Sequence, residues 1–345
     1  MSWWQKHVYE ARQPILHLRA RVIREIRAVF EEQGFTEVET PILQVSPGVE
    51  RHTRPVAAKV SGGGDAGQRQ RYLHTSPEFG MKKLLAAGET KIFQICHVVR
   101  DGEVGRQHQP EFTMLEWYRA GATYLQLMSD VEQLVHAASA AAGVRHLRFG
   151  DSSWQEGTAW HRTAVSDAFK ELAGIDVLAT VGSGEPDTDA LRDATREAGV
   201  RVGDQDTWDD IFHRIMLEKV EPDLAGKGAA FLYDYPTPVG ALARRSESES
   251  CVCERVEAYV CGVELANGFS ELTDAAEQRQ RFESDRAQFA ERYGAPPPID
   301  EEFLKALDAM PPSAGMALGI DRLIMLLTGA PDVASVQWVP LDLSQ

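Results

Sequence analysis

The sequence lacks the long apolar runs that mark membrane proteins and secretory leaders. No stretch approaches the roughly 20 apolar residues needed to span a bilayer, and Met1 to His7 contain no continuous apolar core of a signal peptide. With 43% hydrophobic residues over 345 positions, the chain can still bury a large core. We therefore expect a globular protein of the cytoplasm that does not associate with membranes.

Cysteine is scarce, and positive charge is outnumbered by negative charge. Four cysteines, Cys96, Cys251, Cys253 and Cys261, are too few and too clustered for a secreted disulfide framework, and they lack zinc-site spacing. We expect reduced thiols and no zinc. The formal net charge of −16 repels a phosphate backbone, so extended nucleic-acid binding is disfavoured unless a local basic patch outweighs it.

Glycine-rich phosphate-binding loops are also missing. Neither Gly-x-Gly-x-x-Gly after a strand nor Gly-x-x-x-x-Gly-Lys-Ser/Thr occurs. The stretch from Gly62 to Gly67 indicates a flexible loop tip, because no strand precedes it and no Lys-Ser/Thr follows. Any nucleotide must therefore be held by side chains on a sheet.

Residue periodicity predicts helices that alternate with antiparallel strands. Apolar residues recur at helical spacing from Pro14 to Gln33, with Pro14 in the first turn and Gly34 as the C-terminal stop, and a β-branched strand follows to Pro41. The same criteria predict strands over 71–75, 91–100, 112–119 and 253–272, and helices over 78–87, 124–142 and 275–293. We interpret 1–345 as a single domain, with an inserted helical subdomain at about 150–230.

Two carboxylates lie on a predicted hairpin. If Cys261-Gly262 forms a two-residue turn, Glu257 opposes Ala266 and shares a face with Glu264, at a Cβ separation of roughly 6 to 8 Å. That separation would let both carboxylates share one Mg²⁺ or the oxygens of ATP. A solvated sheet face is the alternative, although Glu264 sits in an apolar stretch where a surface role is less natural.

Other polar residues allow a structural and a functional interpretation. Asp321-Arg322 interrupts the apolar run 315–328, which fits a buried ion pair as well as an arginine that holds a polyphosphate beside Gly319. A polar loop cluster contains Arg100, Glu103, Arg106 and His108, for which a solvated loop is the alternative. Ser76 and Glu78 also fit plain capping of the predicted helix.

In this order, the pieces resemble motifs 1, 2 and 3 of the class II aminoacyl-tRNA synthetases. They are the helix and strand to Pro41, the hairpin with Arg100, and Gly319-Ile320-Asp321-Arg322. Segments 74–78 (HTSPE), 110–119 (PEFTMLEWYR) and 264–272 (ELANGFSEL) are similar to the lysyl branch. The resemblance covers roughly 11–335 and implies an α+β catalytic fold, a mostly antiparallel sheet flanked by helices.

The start of the chain and one pocket residue point to a subgroup of that family. A complete lysyl-tRNA synthetase carries an anticodon-binding OB domain before motif 1, and only a short segment precedes motif 1 here, so we expect no such domain. With the segment from Leu115 to Arg119, this makes the chain similar to the elongation factor P (R)-β-lysine ligases. Ala317 replaces a synthetase glycine and reshapes the pocket, although one methyl group changes selectivity by only about 1 to 3 kcal/mol.

The resemblance implies ATP and Mg²⁺ as cofactors and gives roles to particular residues. The expected catalytic residues are Arg100, which would bind the α-phosphate and the activated carboxylate, and Arg322, which would bind the γ-phosphate. Glu257 and Glu264 together would hold Mg²⁺. The expected ATP-binding residues are Arg100, Asp101, Glu103, His108, Gln109, Phe112, Glu257, Ala258, Gly319 and Arg322, with the adenine between Phe112 and Arg322. The expected substrate-binding residues are Ser76, Glu78, Glu116, Tyr118, Glu264, Asn267, Phe269, Glu271 and Ala317. Several acidic groups suit a substrate with two ammonium groups.

Three positions depart from the family pattern. Gly102 stands where motif 2 has the adenine-contacting glutamate, so Glu103 or the backbone would take over that contact. Gln109 replaces the usual asparagine, and Ser270 stands where these ligases often carry histidine.

The expected reaction adenylates (R)-β-lysine or lysine and transfers it to a lysine ε-amine of elongation factor P, with motif 1 implying a homodimer. One alternative is a minimal synthetase with tRNA or another amine as acceptor; tRNA is disfavoured because only Arg244-Arg245 offers a basic patch. Another is a non-catalytic regulatory paralogue. Retention of Arg100, Glu257, Glu264 and Arg322 speaks against it.

Overall fold

Helices and strands alternate along the chain, which the computed structural model describes over residues 3–48, 51, 53–62, 67–182 and 185–341. The helices are α1 (Lys6–Glu32), α2 (Glu78–Ala86), α3 (Tyr124–Ala142), α4 (Val165–Ala173), α5 (Thr188–Glu197), α6 (Trp208–Ile215), α7 (Glu221–Lys227), α8 (Ala275–Tyr293), α9 (Glu301–Leu307) and α10 (Ile320–Thr328). The strands are β1 (Thr36–Glu37), β2 (Leu43–Gln44), β3 (Ala57–Ser61), β4 (Gln68–Leu73), β5 (Lys91–Val99), β6 (Glu111–Ala120), β7 (His146–Phe149), β8 (Ser152–Gln155), β9 (His161–Ala164), β10 (Ala229–Pro236), β11 (Val252–Val260), β12 (Val263–Ser270) and β13 (Ser313–Gly319).

One large sheet organises these elements. Its eight strands run in the order β1-β5-β6-β13-β12-β11-β10-β9. The pairs from β5 to β10 are antiparallel, whereas β1 and β9 pair in parallel at the two edges. Two small sheets, β2-β4-β3 and β7-β8, lie beside it. The predicted α+β architecture, a mostly antiparallel sheet flanked by helices, is confirmed.

One face of the large sheet is buried under α1, α3 and α10. Phe30 of α1 stacks on Phe93 of β5, with ring centroids 4.6 Å apart, and tilts against Trp117 of β6 at 5.6 Å. The indole nitrogen of Trp117 donates to Asp130 of α3 at 3.0 Å, which satisfies its only polar atom. This apolar layer fixes the strands from one side and leaves their other face available for a cavity.

The first predicted elements differ from the observed ones in length. Helix α1 begins at Lys6, so Pro14 lies inside the helix and not in its first turn. The extra turns have few apolar residues, which is why periodicity missed them, and Arg12 on them donates to the carbonyl of Gln337. Of the strand predicted up to Pro41, only the two residues of β1 are observed as a strand. β1 lies at the edge of the large sheet, where β5 is its one neighbouring strand.

The middle of the chain is helical, as expected. Helices α4 to α7 connect β9 to β10, which are neighbouring parallel strands of the large sheet. Their apolar faces form a cluster of their own around Phe169, Trp208 and Phe212, in which Phe169 and Phe212 stack at 4.9 Å. That 150–230 forms a separate subdomain of a single domain stays a prediction.

Other expectations concern thiols, loops and membranes. All four cysteines are free, which confirms the reduced thiols. Within the predicted loop tip, positions 63–66 lie outside the described residues, while the amide of Gly62 donates to the carbonyl of Gly67 at 2.8 Å. In the part of the chain that the structure describes, no helix has both the length and the apolar character to cross a membrane.

Candidate active site

The open face of the large sheet forms the floor of a cavity of about 820 Å³. Its walls come from the loop between β5 and β6, the first turns of α2 and α10, helix α8, and residues 185–213 of the helical segment. Two groups of charged side chains line it. We call Arg100, His108 and Arg322 the cationic cluster, and Glu78, Glu116 and Glu271 the acidic cluster.

Strand register places the functional side chains in adjacent rows. Residues two apart on a strand share a face, and directly paired residues on neighbouring strands share it too. Across β6, β13, β12 and β11, one row is Glu116, Ala317, Asn267 and Glu257. The next row is Tyr118, Gly315, Phe269 and Arg255. The sheet therefore brings residues from three distant parts of the sequence, β6, the β11–β12 hairpin and β13, onto one surface.

A β-bulge corrects the predicted register of the carboxylate hairpin. The turn at 261–262 is confirmed, but Glu257 pairs with Asn267 and not with Ala266, because β12 carries one extra residue. At the bulge, the consecutive residues Leu265 and Ala266 are both buried. Glu264 and Asn267, which flank them and are three positions apart, therefore both face the cavity. A regular strand would have sent them to opposite faces.

In the cationic cluster, Arg322 is held by hydrogen bonds to the protein. It donates to the carbonyl of Glu264 at 2.6 Å, to the carbonyl of Gln107 at 3.2 Å and to Nε2 of His108 at 2.8 Å. Burial together with Arg322 and Arg100 lowers the pKa of His108 to about 4. His108 is therefore a neutral acceptor at neutral pH, and it orients Arg322 without competing for an anion.

Arg100 occupies the other side of the same loop. Its Nε donates to the carbonyl of Thr75 at 3.2 Å, and its guanidinium carbon lies 5.4 Å above the ring of Phe112. The carboxylate of Glu103 is 3.9 Å from Arg100, within reach of an ion pair. Nearby, the buried Oε1 of Gln109 has no hydrogen-bond partner among the described residues, so it can accept a hydrogen bond from a ligand.

The glycine that departs from motif 2 has a structural reason. Gly102 has a φ of +80°, and a Cβ atom there would lie 2.3 Å from Nη2 of Arg54. The side chains of Arg54 and Asp101 form an ion pair at 3.2 Å, and the backbones of the two residues form an isolated antiparallel β-bridge. Asp101 is therefore directed to Arg54 and does not line the cavity, whereas Glu103 does.

The acidic cluster is almost completely buried. Glu116 accepts hydrogen bonds from Ser76 at 2.7 Å and Tyr118 at 2.5 Å, yet burial and the nearby charge of Glu78 raise its pKa to about 7. Burial likewise raises the pKa of Glu271 to about 8, against the opposing effect of Lys82. The cluster can hold more positive charge than the protein itself provides.

Lys82 is the main residue that the sequence analysis missed. Its ammonium nitrogen lies 2.5 Å from both Glu78 and Glu271, and its side chain is 1% exposed. Burial alone would lower the pKa of Lys82, but the two carboxylates outweigh that effect and raise it. A signal existed: Lys82 lies three residues after Phe79 and three before Leu85, on the buried face of α2.

The two carboxylates expected to bind metal have different surroundings. Glu264 lines the cavity with a side chain that is 41% exposed. Loss of hydration within the cavity and the nearby charge of Glu257 raise the pKa of Glu264. Glu257 is buried and accepts hydrogen bonds from Arg255 and Tyr259, both at 2.6 Å. Among the described residues, no group of three or more His, Cys, Asp or Glu is arranged as a metal site.

Most residues expected from the sequence meet in the one cavity. Those that line it are Ser76, Glu78, Arg100, Glu103, His108, Gln109, Phe112, Glu116, Tyr118, Glu264, Asn267, Phe269, Glu271, Ala317, Gly319 and Arg322. Asp101, Glu257 and Ala258 do not, because Asp101 turns to Arg54 and the other two are buried within β11. Their expected roles, like those of the lining residues, stay predictions.

The structural interpretation of Asp321-Arg322 applies to Asp321, and the functional interpretation of Arg322 stays a prediction. Asp321 forms a buried ion pair with Arg19 of α1 at 2.5 Å, and Arg19 also donates to Thr113 at 2.7 Å. This pair joins α1, β6 and α10 beneath the cavity. Arg322, the next residue, points into the cavity from the first turn of α10.

Comparison with known proteins agrees with this fold. Residues 3–342 match the family model of class II tRNA synthetases (D, K and N). The chain belongs to this family, which confirms the resemblance seen in its motifs.

Relatives with a more specific name cover nearly the whole chain. It is 39% identical over 324 residues to a protein of Erwinia tasmaniensis named elongation factor P–(R)-β-lysine ligase, with 92% of each chain covered. It is 38% identical to proteins of the same name from Enterobacter sp. and Salmonella arizonae, with 94% of each chain covered.

Proposed function

We propose that this chain is an ATP-dependent ligase that adenylates (R)-β-lysine or lysine and transfers it to the ε-amine of a lysine on elongation factor P. The observation that carries the proposal is the juxtaposition, in one cavity, of the cationic cluster and the buried acidic cluster. The first suits a polyphosphate, and the second suits an amino acid with two ammonium groups. The name of the relatives supports the acceptor and the β-amino acid.

The acidic cluster fits a diammonium substrate in charge and in hydrogen bonding. Three carboxylates, Glu78, Glu116 and Glu271, face one internal cation, Lys82. The buried Oε1 of Glu271 has no hydrogen-bond partner among the described residues. An ammonium group that enters supplies the missing donor and counter-charge.

The cationic cluster fits ATP. In the proposal, Arg100 binds the α-phosphate and the substrate carboxylate, Arg322 with His108 binds the γ-phosphate, and adenine stacks on the ring of Phe112, which supports the proposal because all four residues line one cavity. Glu264 would be the exposed ligand for Mg²⁺, which commonly takes few protein carboxylates and completes its shell with phosphate oxygens. Bound Mg²⁺ would supply charge neutralisation at the phosphates.

The reaction has two steps. In the first, a carboxylate oxygen of the amino acid attacks the α-phosphorus of ATP in line, and pyrophosphate leaves. In the second, the neutral ε-amine of the acceptor lysine attacks the carbonyl carbon of the adenylate, the C–O bond to AMP breaks, and the amine loses a proton. Arg100 and Arg322 act by position and charge, with no covalent enzyme intermediate. We assign no general base.

The proposal includes a cellular setting and an oligomeric state. A cytoplasmic location fits an acceptor that belongs to the translation machinery, and a net charge of −16 disfavours tRNA as the acceptor. A homodimer is proposed by analogy with motif 1 of the family. Sedimentation as a monomer at working concentration would refute the dimer and leave the activity untouched.

The first test is pyrophosphate exchange with purified protein and Mg²⁺, comparing (R)-β-lysine with L-α-lysine at equal concentration. Exchange that depends on either amino acid supports the first step, and preference for β-lysine directs the second assay to elongation factor P. Transfer to that protein, detected as a mass increase on one lysine, supports the second step. Exchange with neither amino acid would favour a non-catalytic paralogue, and transfer to tRNA would favour a minimal synthetase.

A further inference from the structure

Lys82 does not line the cavity, but it is a buried cation in contact with two of the carboxylates that the proposed function gives to a cationic substrate. It lies on α2 and reaches Glu78 on its own helix and Glu271 at the end of β12, at 2.5 Å each. Its ammonium group also lies 5.3 Å from the ring of Phe269, a residue of the cavity floor. A lysine in this place competes with the substrate for carboxylates, so its presence needs a reason.

The reason lies in the charge of the pocket. When a cationic substrate binds and Glu78, Glu116 and Glu271 are all ionised, these carboxylates carry three negative charges, and Lys82, counted among the described residues, reduces the net charge of the group to −2. A substrate with two ammonium groups then leaves the buried pocket neutral, while its carboxylate is held elsewhere by Arg100. An amino acid with one ammonium group leaves one buried carboxylate uncompensated, which is unfavourable at low dielectric.

We propose that Lys82 is a positioning residue that sets the pocket charge for a diammonium substrate and fixes the orientation of Glu271. This inference rests on the proposed function. Lys82 contacts Oε2 of Glu271, so Oε1 is left toward the cavity for the substrate. Gly315 keeps this place open, because a Cβ atom there would lie 2.6 Å from Oε1.

The groups that face Lys82 determine how the pocket responds to pH. They are Glu78 on α2, Glu271 on β12, and Glu116 with Tyr118 on β6, with Cys96 of β5 next to Glu116. The pKa of each of Glu116 and Glu271 is lowered by the charge of Lys82 relative to burial alone. Without Lys82, both carboxylates hold their protons to higher pH, and substrate must displace those protons to bind.

The test replaces Lys82 with methionine and uses Lys83→Met as the matched control. Lys83 is the next residue of α2, but it pairs at 2.6 Å with Asp300, a carboxylate outside the acidic cluster. In pyrophosphate exchange, K82M is expected to raise KM for the amino acid at least about tenfold at neutral pH, with KM for ATP unchanged. Raising the pH should bring the amino-acid KM of K82M part of the way back toward the wild-type value. K83M should show the wild-type KM at each pH. An unchanged amino-acid KM and pH profile in K82M would overturn the proposal.

A second variant and a binding probe keep the test decisive if K82M does not fold. Lys82→Arg keeps the positive charge beside Glu78 and Glu271, so this variant should keep the wild-type pH profile of amino-acid KM. A folded K82R variant that shows the shifted profile expected of K82M contradicts the charge role. Calorimetric binding of cadaverine against pentylamine needs no ATP chemistry, so it separates this inference from the proposed function. Wild type should prefer the diammonium cadaverine, and K82R should keep that preference; equal binding of both amines to wild type overturns the inference even if exchange is normal.

Discussion

The cationic and acidic clusters bind opposite charges by different physical means. Arg100 and Arg322 are 24% and 19% exposed and are anchored largely by backbone carbonyls, so their geometry exists before ATP arrives. Glu116 and Glu271 of the acidic cluster are buried, and burial raises the pKa of each of them. The geometry of the cationic cluster is therefore preformed, whereas the acidic cluster changes its charge near neutral pH.

The largest effect should follow from breaking the cationic cluster. Replacing Arg322 with alanine removes a preorganised cation from the phosphates, and we expect adenylation to fall about 10²- to 10³-fold in kcat. The measurement is pyrophosphate exchange at saturating amino acid. Arg106→Ala is the control, because Arg106 lies in the loop between β5 and β6 that carries Arg100 and His108, but its side chain donates to the carbonyl of Pro331. Normal exchange by R322A would remove Arg322 from the γ-phosphate site.

A smaller effect, confined to the acidic cluster, should come from Gly315→Ala. The added Cβ would lie 2.2 Å from the ring of Tyr118 and 2.6 Å from Glu271, both buried, so neither can retreat easily. Overpacking of this kind costs about 1 to 3 kcal/mol, and we expect KM for the amino acid to rise about 10- to 100-fold while KM for ATP stays constant. Gly226→Ala serves as control, since no atom lies within 4 Å of its Cβ position. Equal losses for both substrates would show that the two clusters are not separate.

The two clusters also differ in how well the sequence predicts them. The cationic cluster lies on short contiguous motifs, so its residues can be assigned one by one from the resemblance. Lys82 belongs to no motif, and its role appears only when α2 packs against β12. The register of Glu257 depends on a bulge that no residue type marks, and the length of α1 on contacts with the distant Gln337. Local patterns predicted the elements, and long-range packing decided the charge of the pocket.

Burial raises the pKa of Glu116 to about 7 and that of Glu271 to about 8, from an ordinary value of 4.5. The folded, substrate-free protein retains protons that the unfolded chain has released, so this stabilisation is complete below about pH 4.5 and is lost as pH rises through 7 and 8. We expect the free energy of unfolding to decrease from pH 6.5 to 8.5. The slope is at most about 1.4 kcal/mol per pH unit for each proton.

Glu116→Gln isolates that contribution, because its amide oxygen can accept from one of Ser76 and Tyr118 and its amide nitrogen can donate to the other hydroxyl, but it does not titrate. In urea denaturation at several pH values, the variant should lose less stability than wild type over this window. His108 contributes a slope of opposite sign at the lower end of this window, because its folded pKa is lowered to about 4 while the unfolded chain titrates near 6.5, and this contribution is the same in both proteins. Parallel curves for the two proteins would mean that Glu116 is ionised throughout.

The smallest effect is expected where the loop of the cationic cluster leaves the cavity. Asp101 follows Arg100 directly, but its carboxylate pairs with Arg54, and the two side chains are 55% and 42% exposed. Exposed pairs contribute only about 0 to 1 kcal/mol, so Asp101→Asn should change stability little and leave KM for ATP within about twofold of wild type. The comparison with R322A, made in the same exchange assay, confines the nucleotide site to the inner side of the loop. A rise of about tenfold in KM for ATP would instead restore Asp101 to the ATP-binding residues implied by the family resemblance, and would require the loop to turn this carboxylate inward when ATP binds.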